Sequence, residues 1–284
     1  MTGKDKPEEV EPPRNEKALT RSIKDLAARR GIPELDLRGL VGNVVVGQML
    51  PDCVVKGGTA MYLRYGHKDA RYSLDLDVSR PDPVTPDMFR TEFEELLTGG
   101  WGDFTGRVKM VKPARKPAGV PDEYVMVPFQ VALQYRKRPW FSVPFELGQQ
   151  EIGGVDSAPQ ELNPDIAEIF GLLGLREPHP VAVLPAPHQV AQKLHACSKP
   201  GSERAHDLID LQVLAANRLD LSETARVCRL LFRSRRTHAW PPEVVALEGW
   251  ADLYDEQRRN LPVHRIVDDA VAWANAFIAE INTY

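Results

Sequence analysis

Asp75 and Asp77 flank Leu76 in "RYSLDLDVSR", and "VVKGGTA" places Gly57 and Gly58 a short way upstream, after an apolar run. Side chains alternate along a strand, so the two aspartates project from one face while Leu74, Leu76 and Val78 anchor the other. Carboxylates sharing a face repel each other unless a cation sits between them. Mg²⁺, or Mn²⁺ in its place, binds carboxylate and phosphate oxygens together and keeps some water. Taken alone, such a pair also reads as the solvated face of an edge strand. The glycines add a second component: they let backbone approach a phosphate, and the helix start behind them offers free N–H groups and a positive dipole end. Thr59 would add a hydroxyl donor. Alone, this too is an ordinary turn. Together, a phosphate cradle and a metal-binding carboxylate pair describe a nucleoside triphosphate site, with the turn on the phosphates and the carboxylates on the metal.

The elements that must position these residues follow from periodicity. "NEKALTRSIKDLAARRG" spaces Leu19, Ile23, Leu26 and Ala27 as a helix and stops at Gly31. "LDLRGLVGNVVVGQML" predicts a second, more buried helix, "CVVK" a short strand, and "GGTAMYLRYG" a helix beginning at the glycines. The alternation from Ser73 to Ser79 predicts a half-buried strand. "TPDMFRTEFEELLTGG" has a Thr cap, a Pro at the first helical position and a terminal glycine. "FTGRVKMVK", "EYVMVPFQVALQYR" and "WFSVPFELG" read as strands. Beyond Gly154, six segments read as helices, including "APHQVAQKLHACS", "ERAHDLIDLQVLAANR" and "PPEVVALEGWADLYDEQ". The expected organisation is a disordered tail over residues 1–15, a mixed α/β domain over 16–155 and a helical domain over 156–284 that completes the cleft.

The pattern "VVKGGTAMYLRYG…RYSLDLDV" resembles the polymerase-β-like nucleotidyltransferase superfamily, and within it the AbiEii/MenT family of nucleotidyltransferase toxins. Lys56, Gly57, Gly58, Thr59, Arg71, Ser73, Asp75 and Asp77 match the family's "KGGTAL" and "R-x-S-x-D-[IL]-D" blocks. A second block, "HQVAQKLHACSKPGSERAHDLIDL", is similar to its downstream helices, with Lys193, Arg204, Asp207 and Asp210 at matching positions. The resemblance implies an α+β/α/β fold: a nucleotidyltransferase domain with a mixed sheet, then an α-helical C-terminal domain. It also implies a third carboxylate after the aspartate pair, for which Glu146 in "WFSVPFELG" is the candidate although Asp is commoner there. The implied activity is two-metal-assisted transfer of a nucleoside monophosphate from NTP to an acceptor, the 3′ end of tRNA, with pyrophosphate release, growth arrest and a cognate antitoxin. Transfer to a protein Ser, Thr or Tyr hydroxyl, or a non-catalytic nucleotide-binding regulatory module, are the competing readings.

Read from their own positions, the residues of the second block stay open. Lys193 lies beside the packing stripe of its helix, where it either meets triphosphate oxygens as a point charge or covers apolar surface with its stem. Arg204 and Asp207 either pair along one helix or serve the site, Arg204 on a phosphate and Asp207 on Lys193 or the substrate. His188 and His195 share a helix face without a sensibly spaced third metal ligand. Arg64, His67, Lys68 and Arg71 cluster around Tyr62, Tyr65 and Tyr72, and "RVKMVKPARKP" with "QYRKR" is denser still; each reads as an RNA-facing patch or as a solvated face. Ser73 precedes Asp75 on the same face, so its hydroxyl either bonds the turn or a phosphate, or accepts a silencing phosphate.

The net charge of -4 gives no global field for nucleic acid, so an RNA partner needs a local basic patch. Cys53, Cys197 and Cys228 form no C-x-x-C pair, which argues against a disulfide framework or zinc ribbon. No apolar run reaches membrane-spanning length, and the polar start lacks a signal-peptide core, so the expectation is a cytoplasmic protein without a membrane partner.

Overall fold

The computed structural model describes residues 10–80, 85–110, 126–149 and 158–284. Residues 1–9 of the expected tail, the expected domain boundary at 155 and most of "RVKMVKPARKP" lie outside them.

Two helices open the described chain, α1 (Glu16–Arg30) and α2 (Glu34–Gly47). The Asn15 side chain caps α1 by accepting the Ala18 N–H at 2.9 Å, and Gly31 ends it at φ 65°, a conformation that carries no penalty for glycine. Helix α2 is apolar nearly all round and accordingly buried. Residues 10–15 run along the body: Pro13 is buried, and its carbonyl accepts the Tyr135 hydroxyl at 2.7 Å.

The central sheet has five strands in the order β1-β2-β5-β4-β3. Strand β1 (Val54–Lys56) leads directly into α3 (Gly57–Tyr65) and pairs antiparallel with β2 (Leu76–Arg80). After α4 (Pro86–Gly99), β3 (Phe104–Met110), β4 (Val127–Tyr135) and β5 (Arg138–Gln149) form an antiparallel meander. Its last strand returns parallel to β2, with Asp77 opposite Glu146. This makes the sheet mixed. The alternating face of the meander packs on α4 through Phe89, Phe93, Phe129 and Phe145, whose rings lie 5.0–6.2 Å apart.

A short ribbon of β6 (Gln160–Glu161) and β7 (Val181–Ala182) brackets α5 (Pro164–Leu172). The helical part follows: α6 (Ala186–Cys197), α7 (Asp207–Ala216), α8 (Leu221–Arg235), α9 (Trp250–Arg258) and α10 (Val267–Ile281). One apolar core runs through both halves; Phe170 of α5, for example, packs edge-on against Trp101. None of the described helices is long and apolar enough to cross a membrane.

Two expectations need correction. The strand predicted from Ser73 begins only at Leu76, so Asp75 lies just before it. Its carbonyl is taken by side chains, the Thr59 hydroxyl at 2.8 Å among them, instead of by a neighbouring strand. "PPEVVALEGWADLYDEQ" is helical only from Trp250. Asn275 of α10 captures the Val244 N–H and carbonyl at 2.8 and 2.9 Å, which leaves that stretch no reason to coil.

Candidate active site

The first glycine of the turn stands at φ 65°, and a Cβ there would fall 2.1 Å from Asp77 Oδ2. Only glycine lets the turn close over that carboxylate. A Cβ on Gly58 would in turn meet the Ser73 side chain at 2.6 Å. No side chain caps the start of α3, so its first N–H groups remain for an anion. Gln189 of α6 supports the turn from behind, donating to the Gly57 carbonyl at 3.2 Å and accepting Arg64 at 2.6 Å.

Asp77 and Glu146 face one another on adjoining parallel strands, and Lys56 is the register partner of Asp77 on the other side. Partial burial, followed by the charges of Asp77 and Asp75, holds the Glu146 carboxyl above its ordinary range. Asp75 is exposed as a residue, yet protein crowds it on one side. That desolvation, and then the charge of Asp77, push its carboxyl up as well. Lys56, Arg71 and Arg204 act in the opposite direction without cancelling these shifts.

Across a cavity of about 520 Å³ stand Lys193, Arg204 and Asp207. Lys193 is almost wholly buried and donates to Asp207 at 2.9 Å and to Asp210 at 2.5 Å. Arg204 pairs with Asp207 at 2.9 Å, and Arg71 with Asp210 at 3.0 Å. Burial alone would raise the Asp207 carboxyl, but Lys193 and Arg204 outweigh it and hold the group well below the carboxylate range. Asp210 is lowered too, by Arg71 and then Lys193 acting against burial. The two aspartates therefore stay ionised and fix three cations, Lys193 and Arg204 at the cleft and Arg71 beside it.

The structure thus gathers Lys56, Gly57, Asp77, Glu146, Lys193, Arg204 and Asp207 around one cavity. Gly58, Thr59, Arg71, Ser73 and Asp75 stand behind or beside it. Thr59 does not present its hydroxyl to a phosphate, because that group is buried and committed to the Asp75 carbonyl. The Ser73 hydroxyl bonds the same carbonyl at 3.3 Å. Asn43, which the sequence reading passed over, completes this knot: its side-chain amide donates to Thr59 at 3.1 Å and to the Ser73 carbonyl at 3.1 Å. Its signal was a lone amide in the apolar run "GNVVV". Gln189, one helical turn before Lys193, was visible on the same face.

The expected basic cluster divides. Tyr62 is fully buried, and Arg64 is spent on Gln189, the Leu184 carbonyl and Glu161. Arg136 of "QYRKR" is paired with Asp103 at 2.9 Å. His188 is buried, while His195 lines the cleft between Arg235 at 3.0 Å and Thr237 at 2.6 Å. Burial, then Arg235, hold His195 down to about 3, so it is neutral near pH 7.

Among the described residues no group of three His, Cys, Asp or Glu side chains is placed to hold a metal by itself. Mg²⁺ is ordinarily bound by one or two carboxylates with substrate phosphates and water, so the facing pair Asp77 and Glu146 fits such an ion. Burial raises Glu146 and Asp75 first and the neighbouring carboxylates second; such an ion would relieve that second, repulsive part.

Solved structures that resemble the fold include MenT4, a nucleotidyltransferase toxin of Mycobacterium tuberculosis H37Rv, at 17% identity and a TM-score of 0.53. That match covers 94% of this chain and 98% of the other. JHP933 of Helicobacter pylori matches at 15% identity and a TM-score of 0.44, over 87% of this chain and 90% of its own. No curated protein sequence matches. The family profile described as "Nucleotidyl transferase AbiEii toxin, Type IV TA system" matches residues 40–275, and the chain belongs to this family of nucleotidyltransferase toxins.

Proposed function

We propose that the cleft transfers a nucleoside monophosphate from an NTP to the 3′ end of tRNA, releasing pyrophosphate and arresting growth until a cognate antitoxin intervenes. The observation that carries this reading is the facing of Asp77 and Glu146 beneath the Gly57 turn, with Lys193 and Arg204 across one cavity. The free N–H groups at the start of α3 receive the phosphate oxygens. Lys193 and Arg204, oriented by Asp207 and Asp210, balance the charge that builds on the departing pyrophosphate. Glu146 takes the proton of the acceptor hydroxyl as that oxygen bonds the α-phosphorus and the bond to the β-phosphate oxygen breaks. Asp77 and Glu146, with Asp75 at the edge, would hold the divalent cation, Mg²⁺ or Mn²⁺, whose chemistry is to draw charge from the phosphate oxygens.

The test is incubation of the purified chain with each labelled NTP, Mg²⁺, and either total RNA or protein extract. Label on tRNA that disappears with EDTA supports the proposal. Label in protein transfers the activity to a side-chain hydroxyl acceptor, and label in neither overturns catalysis.

A further inference from the structure

A second cavity, about 690 Å³, opens where the end of α1, the α3–β2 connection and the end of α9 meet. It has no lining residue in common with the nucleotide cleft. Every charged side chain that lines it is cationic: Arg30, Lys68, Arg71 and Arg259, with His67 beside them, and none of the described lining residues is an Asp or Glu.

Each arginine of the wall already holds one carboxylate. Glu168 pairs with Arg30 at 2.6 Å, Asp210 with Arg71 at 3.0 Å and Asp36 with Arg259 at 2.5 Å. A guanidinium carries five N–H donors, so one carboxylate fixes its plane without exhausting it. Lys68 is exposed at the mouth, and Arg259 lies over the Tyr72 ring at 5.4 Å. The backbone of Arg259 is held at φ 47°, in the left-handed region where a non-glycine residue is strained and where ligand-binding segments recur. Guanidiniums with N–H donors to spare and an exposed ammonium at the entrance make the chemistry of a phosphate site.

We propose that this cavity binds a phosphate group outside the nucleotide cleft, carried either by an RNA strand or by a small phosphorylated metabolite. Arg71 links the two cavities. Its guanidinium would lie 3.4 Å from a Cβ on Gly58, and it shares Asp210 with Lys193. An occupant that engages Arg71 therefore acts one contact away from the nucleotide turn. The binding does not depend on turnover, so it can stand or fall separately from the transfer reaction.

The test uses the full chain in EDTA with two probes, an end-labelled 12-nucleotide RNA followed by anisotropy across a salt series and inorganic pyrophosphate followed by calorimetry. The comparison is between wild type and Lys68→Glu/Arg259→Gln. For an RNA strand, the double variant binds roughly tenfold more weakly near 0.1 M salt, and its salt slope is shallower by about 1.4, the share of two phosphate contacts on a single strand. If only pyrophosphate binding falls, the occupant is a small metabolite. If a folded double variant binds both probes as wild type does, the site does not exist. Lys68→Glu alone, at an exposed position, repeats the test should the double variant not fold, with about half the change in slope. NTP affinity with Mg²⁺, measured on the same variants, should be unchanged.

Discussion

Two charged clusters face each other across the cleft, and they are built on opposite principles. On the sheet side, Asp75, Asp77 and Glu146 crowd like charges together, and two of the carboxyls are pushed up. On the helix side, Lys193, Arg204 and Arg71 interlock with Asp207 and Asp210, whose carboxyls are pulled down. The helix cluster is satisfied by the chain alone. The sheet cluster is left with a charge imbalance that folding does not relieve, and cations arriving with a substrate would. Each cluster should therefore respond to mutation in its own way: the unbalanced one in activity, the balanced one in stability.

The largest effect belongs to the sheet. Asp77→Ala, alone or with Asp75→Ala, should reduce transfer by about 100- to 1,000-fold or beyond. Its melting temperature should hold or rise, because a repulsion is removed. Transfer of labelled nucleotide at the wild-type rate by the double variant would reject the metal assignment. Next comes the helix network. Asp207→Ala leaves Lys193 and Arg204 without their shared partner and should cost about 3–5 kcal/mol in urea denaturation. A variant that unfolds at the wild-type urea concentration would erase the distinction between the clusters. Lys193→Ala lies between the two. If the network serves to aim Lys193 at a triphosphate, NTP affinity by calorimetry should fall about tenfold, and Lys193→Arg should recover only part, since a fork replaces a point charge. Equal affinities would restrict Lys193 to holding α6 and α7 together.

This asymmetry also explains how much could be read from the sequence. The glycine turn is local, so its spacing declared the strand-to-helix entry; of the "DLD" pair, Asp77 lies on the expected strand and Asp75 just before it. Glu146 could only be a candidate, because its meeting with Asp77 depends on a parallel pairing between strands far apart in the chain. The helix block was visible as residues, but Lys193 and Asp207 each kept two readings until α6 and α7 were packed together. Thr59 was misread for a related reason. Next to two glycines a hydroxyl looks free for phosphate, and only the approach of Asn43 from α2 and the Asp75 carbonyl shows it occupied. The helix expected from Pro241 failed because its competitor, Asn275, lies on another element.

The smallest expected effect separates the clusters by pH. Asp75 has a folded-state pKa above its unfolded one, so its charge weakens the folded state at neutral pH. Asp75→Asn should therefore be more stable than wild type at pH 7. That advantage should shrink as pH falls through the raised folded value and vanish below the unfolded value near about 3.9. Asp207 runs the other way. Its folded pKa is depressed, so its stabilisation is complete above about 3.9 and is lost only as pH falls from there toward the folded value. Urea denaturation of wild type, Asp75→Asn and Asp207→Asn at intervals from pH 7 to pH 3 gives both curves. The Asp75→Asn gain should fade first, above about pH 3.9, while the Asp207→Asn deficit stays constant until that point. If the two differences fade over the same interval, the carboxylates share one environment, and the contrast between a strained sheet cluster and a satisfied helix cluster is wrong.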